Sequence, residues 1–297
     1  MLTIRSGETD LPVAGAQVRL QASTTTGPVT QSFVTDNTGA ISVPADFPLS
    51  SAPLVDLQAA GYLDRATLLR AGDTGFSLWP AQSSTGLDEQ FSSAIAYSAS
   101  ACPAQATGLA SLRRFPTSTG EVRVSFGSSL QDPQAEATFA AALARLNTAL
   151  SGTPAFIWSP GAAGANVFTV EIDPAHSTCT AGPEPFRAST SLFLSASQIS
   201  GGRLTFCTVE AARSLNLVLH ELGHAAGLYH APTQADVMYC SSGRPSNFTS
   251  RERLVFRLAR LRRPGNRWPD NDRQTTAALE AGHAETAVFT CGASRHD

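Results

Sequence analysis

Hydrophobic and polar residues alternate in short segments along residues 1–81, where apolar positions seldom recur at helical spacing. Short alternating segments about ten residues apart, with turn residues between them, are typical of a β-sandwich. The sequence Asp-Asn-Thr-Gly at residues 36–39 is such a turn. The pattern predicts strands at residues 17–21, 31–35, 40–43, 54–59 and 75–79. We therefore expect an N-terminal all-β sandwich over residues 1–81.

Residues 82–119 are rich in Ser, Ala, Thr and Gly, which is typical of a connector that packs on the next domain. The remaining residues, 120–297, alternate apolar segments of strand length with segments of helical spacing. The predicted strands lie at residues 122–126, 155–158, 167–172, 191–195 and 203–207. This mixture predicts a C-terminal α+β domain.

Three helices are predicted in the C-terminal domain. The first begins at Asp132 and Pro133, because a cap followed by proline favours a helix start. Thr208 is expected to cap the second helix, which carries a cluster of histidines. Thr249 and Glu252 form a capping box at the start of the third, whose arginines at residues 251–263 we interpret as a solvated face.

The chain has 297 residues, of which 42% are hydrophobic and 15% charged, and this composition is that of an ordinary globular protein. The formal net charge of -3 gives no reason to expect a nucleic-acid partner. No apolar stretch approaches the roughly 18 residues of a membrane helix, and the first residues lack the apolar segment of a signal peptide. The sequence thus predicts a protein without a membrane span that acts as a monomer.

The candidate chemistry lies in His-Glu-Leu-Gly-His-Ala-Ala-Gly-Leu-Tyr-His at residues 220–230. His220 and His224 are four residues apart, so both imidazoles project from one face of a helix. Gly227 can adopt positive φ, which lets the chain reverse and bring His230 to the same metal ion. Three histidines are the ligand set of a catalytic zinc ion that keeps one tetrahedral position open for water.

Glu221, between the two helical histidines, is the candidate general base. Zinc lowers the pKa of a water in the open position from about 15.7 to roughly 7, and a nearby carboxylate can take up its proton. His176, His283 and His296 have no partner at a ligand spacing, so we assign them no role.

The motif and the following Asp236-Val237-Met238-Tyr239 resemble the metzincin zinc endopeptidases, and within them the matrixins. In that family a methionine beyond the third histidine forms a turn under the metal, which corresponds to Met238. Tyr239 directly follows the methionine, as in matrixins, and is not expected to be a ligand. The resemblance implies a twisted, mostly parallel five-stranded sheet, a zinc helix and a C-terminal helix. A structural calcium ion is compatible with it but cannot be identified from the residues.

The same resemblance implies a protein or peptide substrate. An extended peptide would add a strand to an exposed sheet edge, which we place at residues 189–195. Residues 241–248, after Met238, would form the wall of the pocket that selects the substrate.

The first 81 residues resemble the carboxypeptidase regulatory-like, transthyretin-like domain. The shared features are a Gly-Ala-x-Val strand, an Asp-x-x-Gly turn and a Gly-Tyr pair, represented here by Gly15, Ala16, Val18, Asp36, Gly39, Gly61 and Tyr62. The resemblance implies an accessory domain that carries no catalytic residue.

Five cysteines lie beyond residue 100, and none forms a Cys-x-x-Cys pair. Disulfides in an exported enzyme are their expected use, which predicts a secreted, cell-surface or periplasmic protein. The alternative for Cys102 is that it binds the zinc and keeps a precursor latent, as a propeptide cysteine does in matrixins, although no Pro-Arg-Cys-Gly-x-Pro-Asp motif surrounds it.

The sequence therefore predicts a zinc metalloendopeptidase. The alternative function is a non-catalytic or latent binding or adhesion protein on the same scaffold. Retention of His220, Glu221, His224 and His230 favours the enzyme, because loss of the base or of a ligand is the expected mark of an inactive member.

Overall fold

The computed structural model describes residues 1–98, 110–180, 188–241, 243–272 and 284–291. Its strands form three sheets, of which two come from the first 78 residues and one from residues 121–291. Elements are numbered in chain order.

The N-terminal strands pack as a three-stranded and a four-stranded sheet around one apolar cluster that includes Ile4, Leu20, Val55 and Leu57. Within residues 1–98, all described, the strands are β1 (Leu2–Ser6), β2 (Gln17–Thr24), β3 (Gly27–Val34), β4 (Ala40–Ile41), β5 (Leu54–Gln58), β6 (Arg65–Leu68) and β7 (Gly75–Leu78). The orders are β4-β1-β7 and β3-β2-β5-β6. The alternating pattern missed β1 and β6.

Charged residues join these sheets to the C-terminal part of the chain. Arg65 on β6 is buried and pairs with Asp272 at 3.3 Å, and the buried Arg262 donates to the hydroxyl of Ser77 on β7 at 2.9 Å. The backbone of Ala66 also donates to the carbonyl of Asp270. The two parts are therefore in direct contact, and the boundaries at residues 81 and 119 stay a prediction.

The C-terminal sheet has six strands in the described residues, in the order β13-β11-β12-β10-β8-β9. They are β8 (Glu121–Phe126), β9 (Ala155–Trp158), β10 (Val167–Ile172), β11 (Ala188–Ser195), β12 (Gln198–Phe206) and β13 (Ala284–Cys291). Strands β8, β9, β10 and β12 are parallel, whereas β11 is antiparallel to β12 and to β13. The expectation of five strands was wrong, because the C-terminal segment adds β13 at the edge.

The described helices are α1 (Glu89–Tyr97), α2 (Pro133–Leu150), α3 (Ser177–Thr180), α4 (Val209–Ala212), α5 (Leu215–Ala225) and α6 (Ser250–Arg260), besides a single 3₁₀ turn at Leu49–Ser51. Helix α1 lies inside the segment predicted to be a connector. It is capped by Asp88 and buries Phe91 and Ile95 in the same apolar cluster as α5 and the six-stranded sheet.

The histidine helix does not begin where the sequence predicted. Thr208 caps the short helix α4, and the chain is extended at Ser214 before α5 starts at Leu215. The Arg213 guanidinium, between the two helices, pairs with Asp132 at 2.5 Å at the start of α2. The capping box of Thr249 and Glu252 at α6 is present as predicted.

Candidate metal centre

Three histidines converge at the end of α5. His220 and His224 are fully buried on the helix, and His230 is 8% exposed in the segment that follows. The two helical imidazoles project together because residues four apart lie one turn apart on the same face.

Gly227 allows the chain to reverse after α5 and bring His230 back. Its φ is 101°, in the left-handed region, and a Cβ there would lie 2.3 Å from the carbonyl oxygen of Arg113. The Leu228 amide donates to the carbonyl of Gly223, which closes the helix end. A side chain at position 227 would therefore clash with backbone as well as strain the turn.

The Nε2 atoms of the three rings face one another. His224 Nε2 lies 3.0 Å from His220 Nε2 and 3.2 Å from His230 Nε2. The Nδ1 atoms of His220 and His224 lie 2.8 and 2.7 Å from the carbonyl oxygens of Val237 and Leu228. Since a carbonyl oxygen can only accept, each of these Nδ1 atoms carries the proton and each Nε2 atom presents a lone pair.

This arrangement fits a zinc ion. Lone pairs 3.0 Å apart repel one another unless a cation lies between them. A tetrahedral zinc ion with bonds of about 2.0–2.1 Å holds its nitrogen ligands roughly 3.3 Å apart. The ligand atoms of His220, His224 and His230 all lie within 4.8 Å of one another. The carbonyl partners of the Nδ1 atoms also fix the orientation of two rings, as is usual for histidines that bind a metal.

Burial keeps the helical imidazoles neutral. Desolvation is the largest cause that lowers the pKa of His220 and His224 well below the usual value. The positive charge of Arg244 lowers the pKa of His220 further. Neutral imidazole is the form that binds a metal ion, so the environment favours ligation over protonation.

Glu221 is fully buried and contacts strand β11. The hydroxyl of Thr190 donates to Glu221 Oε2 at 2.6 Å and lies 3.1 Å from the Glu221 carbonyl oxygen. Thr190 thus fixes the position of the candidate base. It lies inside the edge segment identified from the sequence, but nothing in that pattern distinguished it from its neighbours.

Met238 lies directly beneath α5 and is fully buried. A Cβ on Gly223 would lie 2.2 Å from Met238 Sδ, so glycine is what lets the two segments meet. The amide of Met238 donates to Glu252 Oε1 at 2.9 Å. The amide of Ala231, next to His230, donates to the Met238 carbonyl at 2.8 Å.

A buried ion pair also stabilises the turn that contains Met238. Asp236 pairs with Arg251 at 2.5 Å and accepts from the Thr249 hydroxyl at 3.0 Å. The sequence predicted a solvated face for the arginines at residues 251–263, and that prediction was wrong for two of them. Arg251 is largely buried here, and Arg262 is fully buried against Asp270.

Tyr239 follows Met238 and is partly buried. Its carbonyl accepts from Arg244 Nε at 2.5 Å, and its amide donates to the Asp236 carbonyl. Arg244 belongs to the predicted pocket wall, residues 241–248, of which residue 242 lies outside the described residues. The role of this wall stays a prediction.

The sheet edge expected to be exposed is covered. β13 pairs with β11 along its whole length, with Phe289 opposite Thr190. The Phe289 ring stacks on His224 at 4.4 Å between centroids and 11° between planes. The sequence prediction of an open edge at residues 189–195 was therefore wrong. It took no account of the C-terminal residues, in which Ala287 and Phe289 are buried and alternate with the exposed Thr286 and Val288.

Cys179 and Cys207 form a disulfide, and Cys240 is also disulfide-bonded. Such bonds are typical of proteins from oxidising compartments. Cys102, the candidate latency switch, lies outside the described residues. Among the helices of the described residues, none combines the length and the apolar character that crossing a membrane requires.

No protein-family model matches the chain, and no curated protein sequence matches it. Among solved structures, the chain is similar to high choriolytic enzyme 1, a hatching enzyme zinc-protease from the medaka fish Oryzias latipes, with 13% sequence identity and a TM-score of 0.32. The similarity covers 50% of this chain and 94% of that one. A likeness this weak decides neither fold nor function, so the assignment of the candidate site rests on the geometry of its own residues.

Proposed function

We propose that this chain is a secreted, zinc-dependent endopeptidase. The observation that carries the proposal is the convergence of the Nε2 atoms of His220, His224 and His230. Glu221, a buried glutamate, lies on the helix that carries the first two of these histidines. The disulfide between Cys179 and Cys207 supports an extracellular or periplasmic setting. We expect the protein to act as a monomer on protein or peptide substrates.

His220, His224 and His230 would hold the metal through Nε2. Bound zinc supplies a Lewis acid that polarises the scissile carbonyl and acidifies water. Glu221 takes a proton from the attacking water through its carboxylate and later delivers it to the leaving amine nitrogen. No side chain needs to form a covalent bond to the substrate. Thr190 holds Glu221 Oε2 through its hydroxyl, so the base is oriented before the substrate arrives.

An extended peptide that adds to β11 would gain main-chain hydrogen bonds. Because β11 is already paired with β12 on one side and β13 on the other, the peptide can add there only in place of β13. Thr190 on β11 contacts Glu221, so a peptide beside β11 passes next to the candidate base.

The test compares the wild-type chain with Glu221→Gln and with Glu210→Gln, an exposed glutamate on α4. Metal content is measured together with cleavage of denatured casein, with a chelator and after zinc is restored. We expect about one zinc per chain in all three proteins, and cleavage by the wild type and Glu210→Gln that the chelator abolishes. Glu221→Gln should bind zinc without cleaving.

Cleavage by Glu221→Gln at the wild-type rate would disprove the role of the base. Stoichiometric zinc without cleavage of any protein by the wild type would favour the alternative, a latent or non-catalytic binding protein.

A further inference from the structure

β13, at residues Ala284–Cys291, lies where the sequence placed the substrate. It runs antiparallel to β11, and every residue from Ala188 to Ser195 has a partner on it. Within the described elements β11 is the one strand that pairs with β13. The C-terminal segment thus adds to the sheet edge as an extended peptide would.

The pairing register directs one side chain of β13 into the candidate site. Phe289 lies opposite Thr190, the residue that contacts Glu221. Directly opposed residues project to the same face of a sheet, so Phe289 shares the face that holds the candidate base. Its ring covers the imidazole of His224.

Three aromatic or cationic groups form the pocket around Phe289. His224 stacks on the ring, Tyr229 meets it edge-on at 5.3 Å, and the Arg113 guanidinium lies 5.6 Å from its centroid. The Phe289 side chain is consequently 7% exposed. Stacking, edge contacts and cation–π contacts all favour an aromatic occupant over an aliphatic one of similar size.

The described side chains of β13 are buried on one face of the strand and exposed on the other. Ala287 and Phe289 are buried, whereas Val288 between them is 55% exposed and Thr286 is exposed. Main-chain pairing with β11 therefore holds the strand, together with these two buried side chains among residues 286–289, whose side chains the structure describes. A competing peptide can form the same main-chain hydrogen bonds with β11. Its ability to replace β13 therefore depends mainly on how well it fills the aromatic pocket.

We propose that Ala284–Cys291 occupies the peptide-binding groove of its own chain, and that the Phe289 pocket is the subsite for an aromatic side chain of an incoming extended peptide. This inference rests on the proposed function for its identification of the groove. The strand keeps the site covered until it is displaced, and the groove then selects extended segments with an aromatic residue at the position of Phe289.

The experiment uses full-length wild type, Phe289→Ala and Val288→Ala, the last being a matched control whose side chain points away from the site. The probe is a fluorescein-labelled synthetic peptide of residues 284–291 that carries Cys291→Ser, and its binding is followed by fluorescence polarisation. We expect Phe289→Ala to bind the probe about tenfold more tightly than the wild type or Val288→Ala, since its own strand competes less well. A probe that also carries Phe289→Ala should bind about tenfold more weakly to that variant.

Phe289→Leu is a second, milder variant that keeps an apolar side chain but loses the ring. It should lie between the wild type and Phe289→Ala in probe affinity, and circular dichroism checks that each variant is folded. Equal affinity of the probe for all four folded proteins would overturn the inference.

Cleavage of a quenched fluorescent peptide separates this inference from the proposed function. Probe binding in the expected order without any cleavage would support the groove and refute the peptidase. Cleavage that is equal in wild type and Phe289→Ala, with no difference in probe binding, would retain the peptidase and refute the self-occupied groove. Cleavage that rises about tenfold in Phe289→Ala but not in Val288→Ala would support both.

Discussion

Gly223 and Met238 are in contact with no room for one further carbon atom between them. A Cβ built on Gly223 would lie 2.2 Å from the Met238 sulfur and 3.2 Å from its terminal methyl carbon. The helix that carries two histidines therefore sits directly on the turn that follows the third. This contact fixes the height of α5 above the turn, and with it the spacing of the three imidazoles.

Gly223→Ala should destabilise the fold by about 1–3 kcal/mol, the usual range for overpacking a close-packed interior. Chemical unfolding of the metal-free protein measures the change. Gly120→Ala is the matched control, because Gly120 has no heavy atom within 4 Å of an added Cβ and no positive φ. Equal loss of stability in the two variants would show that the Met238 contact is not the cause.

His230→Ala should bind zinc more weakly by a factor greater than about 100, because loss of a partner that merely orients a ligand already costs 10–100-fold. Metal analysis after dialysis against a weak chelator tests this expectation. His176→Ala serves as the control, since His176 lies outside the histidine cluster. Stoichiometric zinc in His230→Ala would remove His230 from the ligand set.

Thr190→Val should lower kcat by about ten- to a hundredfold with zinc content and KM little changed, provided that the chain is the peptidase proposed above. The substitution keeps the shape of the side chain but removes the hydroxyl that donates to Glu221 Oε2, and a hydrogen bond to a charged group contributes about 1.5–3 kcal/mol. Thr190→Ser keeps the donor and should retain most of the activity. If Val and Ser substitutions have the same effect on kcat, the hydroxyl does not position the base.

Local spacing was enough to predict the histidine cluster but not the residues that surround it. His220 and His224 are one helical turn apart, and Gly227 marks the reversal, so both relationships are visible within eleven residues. Thr190 meets Glu221, and Phe289 meets His224, only because of the order and register of strands in the sheet. No periodicity within either strand specifies that register.

A buried charge explains why the sequence pattern did not predict strand β6. Strand β6 was missed because Arg65 interrupts the apolar pattern, yet Arg65 is buried against Asp272, which is 207 residues away. The break between α4 and α5 coincides with another distant pair, Arg213 with Asp132, in which Arg213 is only partly buried. A charged residue at a core position is interpretable only when its partner is known.

The raised pKa of Glu252 predicts how the stability of the fold depends on pH. Burial raises the pKa of its carboxyl from 4.5 to about 7, although the amides of Thr249 and Met238 donate to it. A folded-state pKa above the unfolded value means that the folded protein binds the proton more tightly, so stability falls as pH rises from about 4.5 to 7 and then stays level for this group. A shift of this size corresponds to about 3 kcal/mol.

Urea unfolding of metal-free wild type and Glu252→Gln at a series of pH values isolates this contribution. The stability of the wild type relative to Glu252→Gln should decline by about 3 kcal/mol between pH 4.5 and 7.5, because glutamine does not titrate. Glu210→Gln, at an exposed position, should show no comparable trend against the wild type. A difference between wild type and Glu252→Gln that stays constant across this range would mean that Glu252 has the same pKa in the folded and unfolded states, so that the hydrogen bonds from Thr249 and Met238 offset its burial.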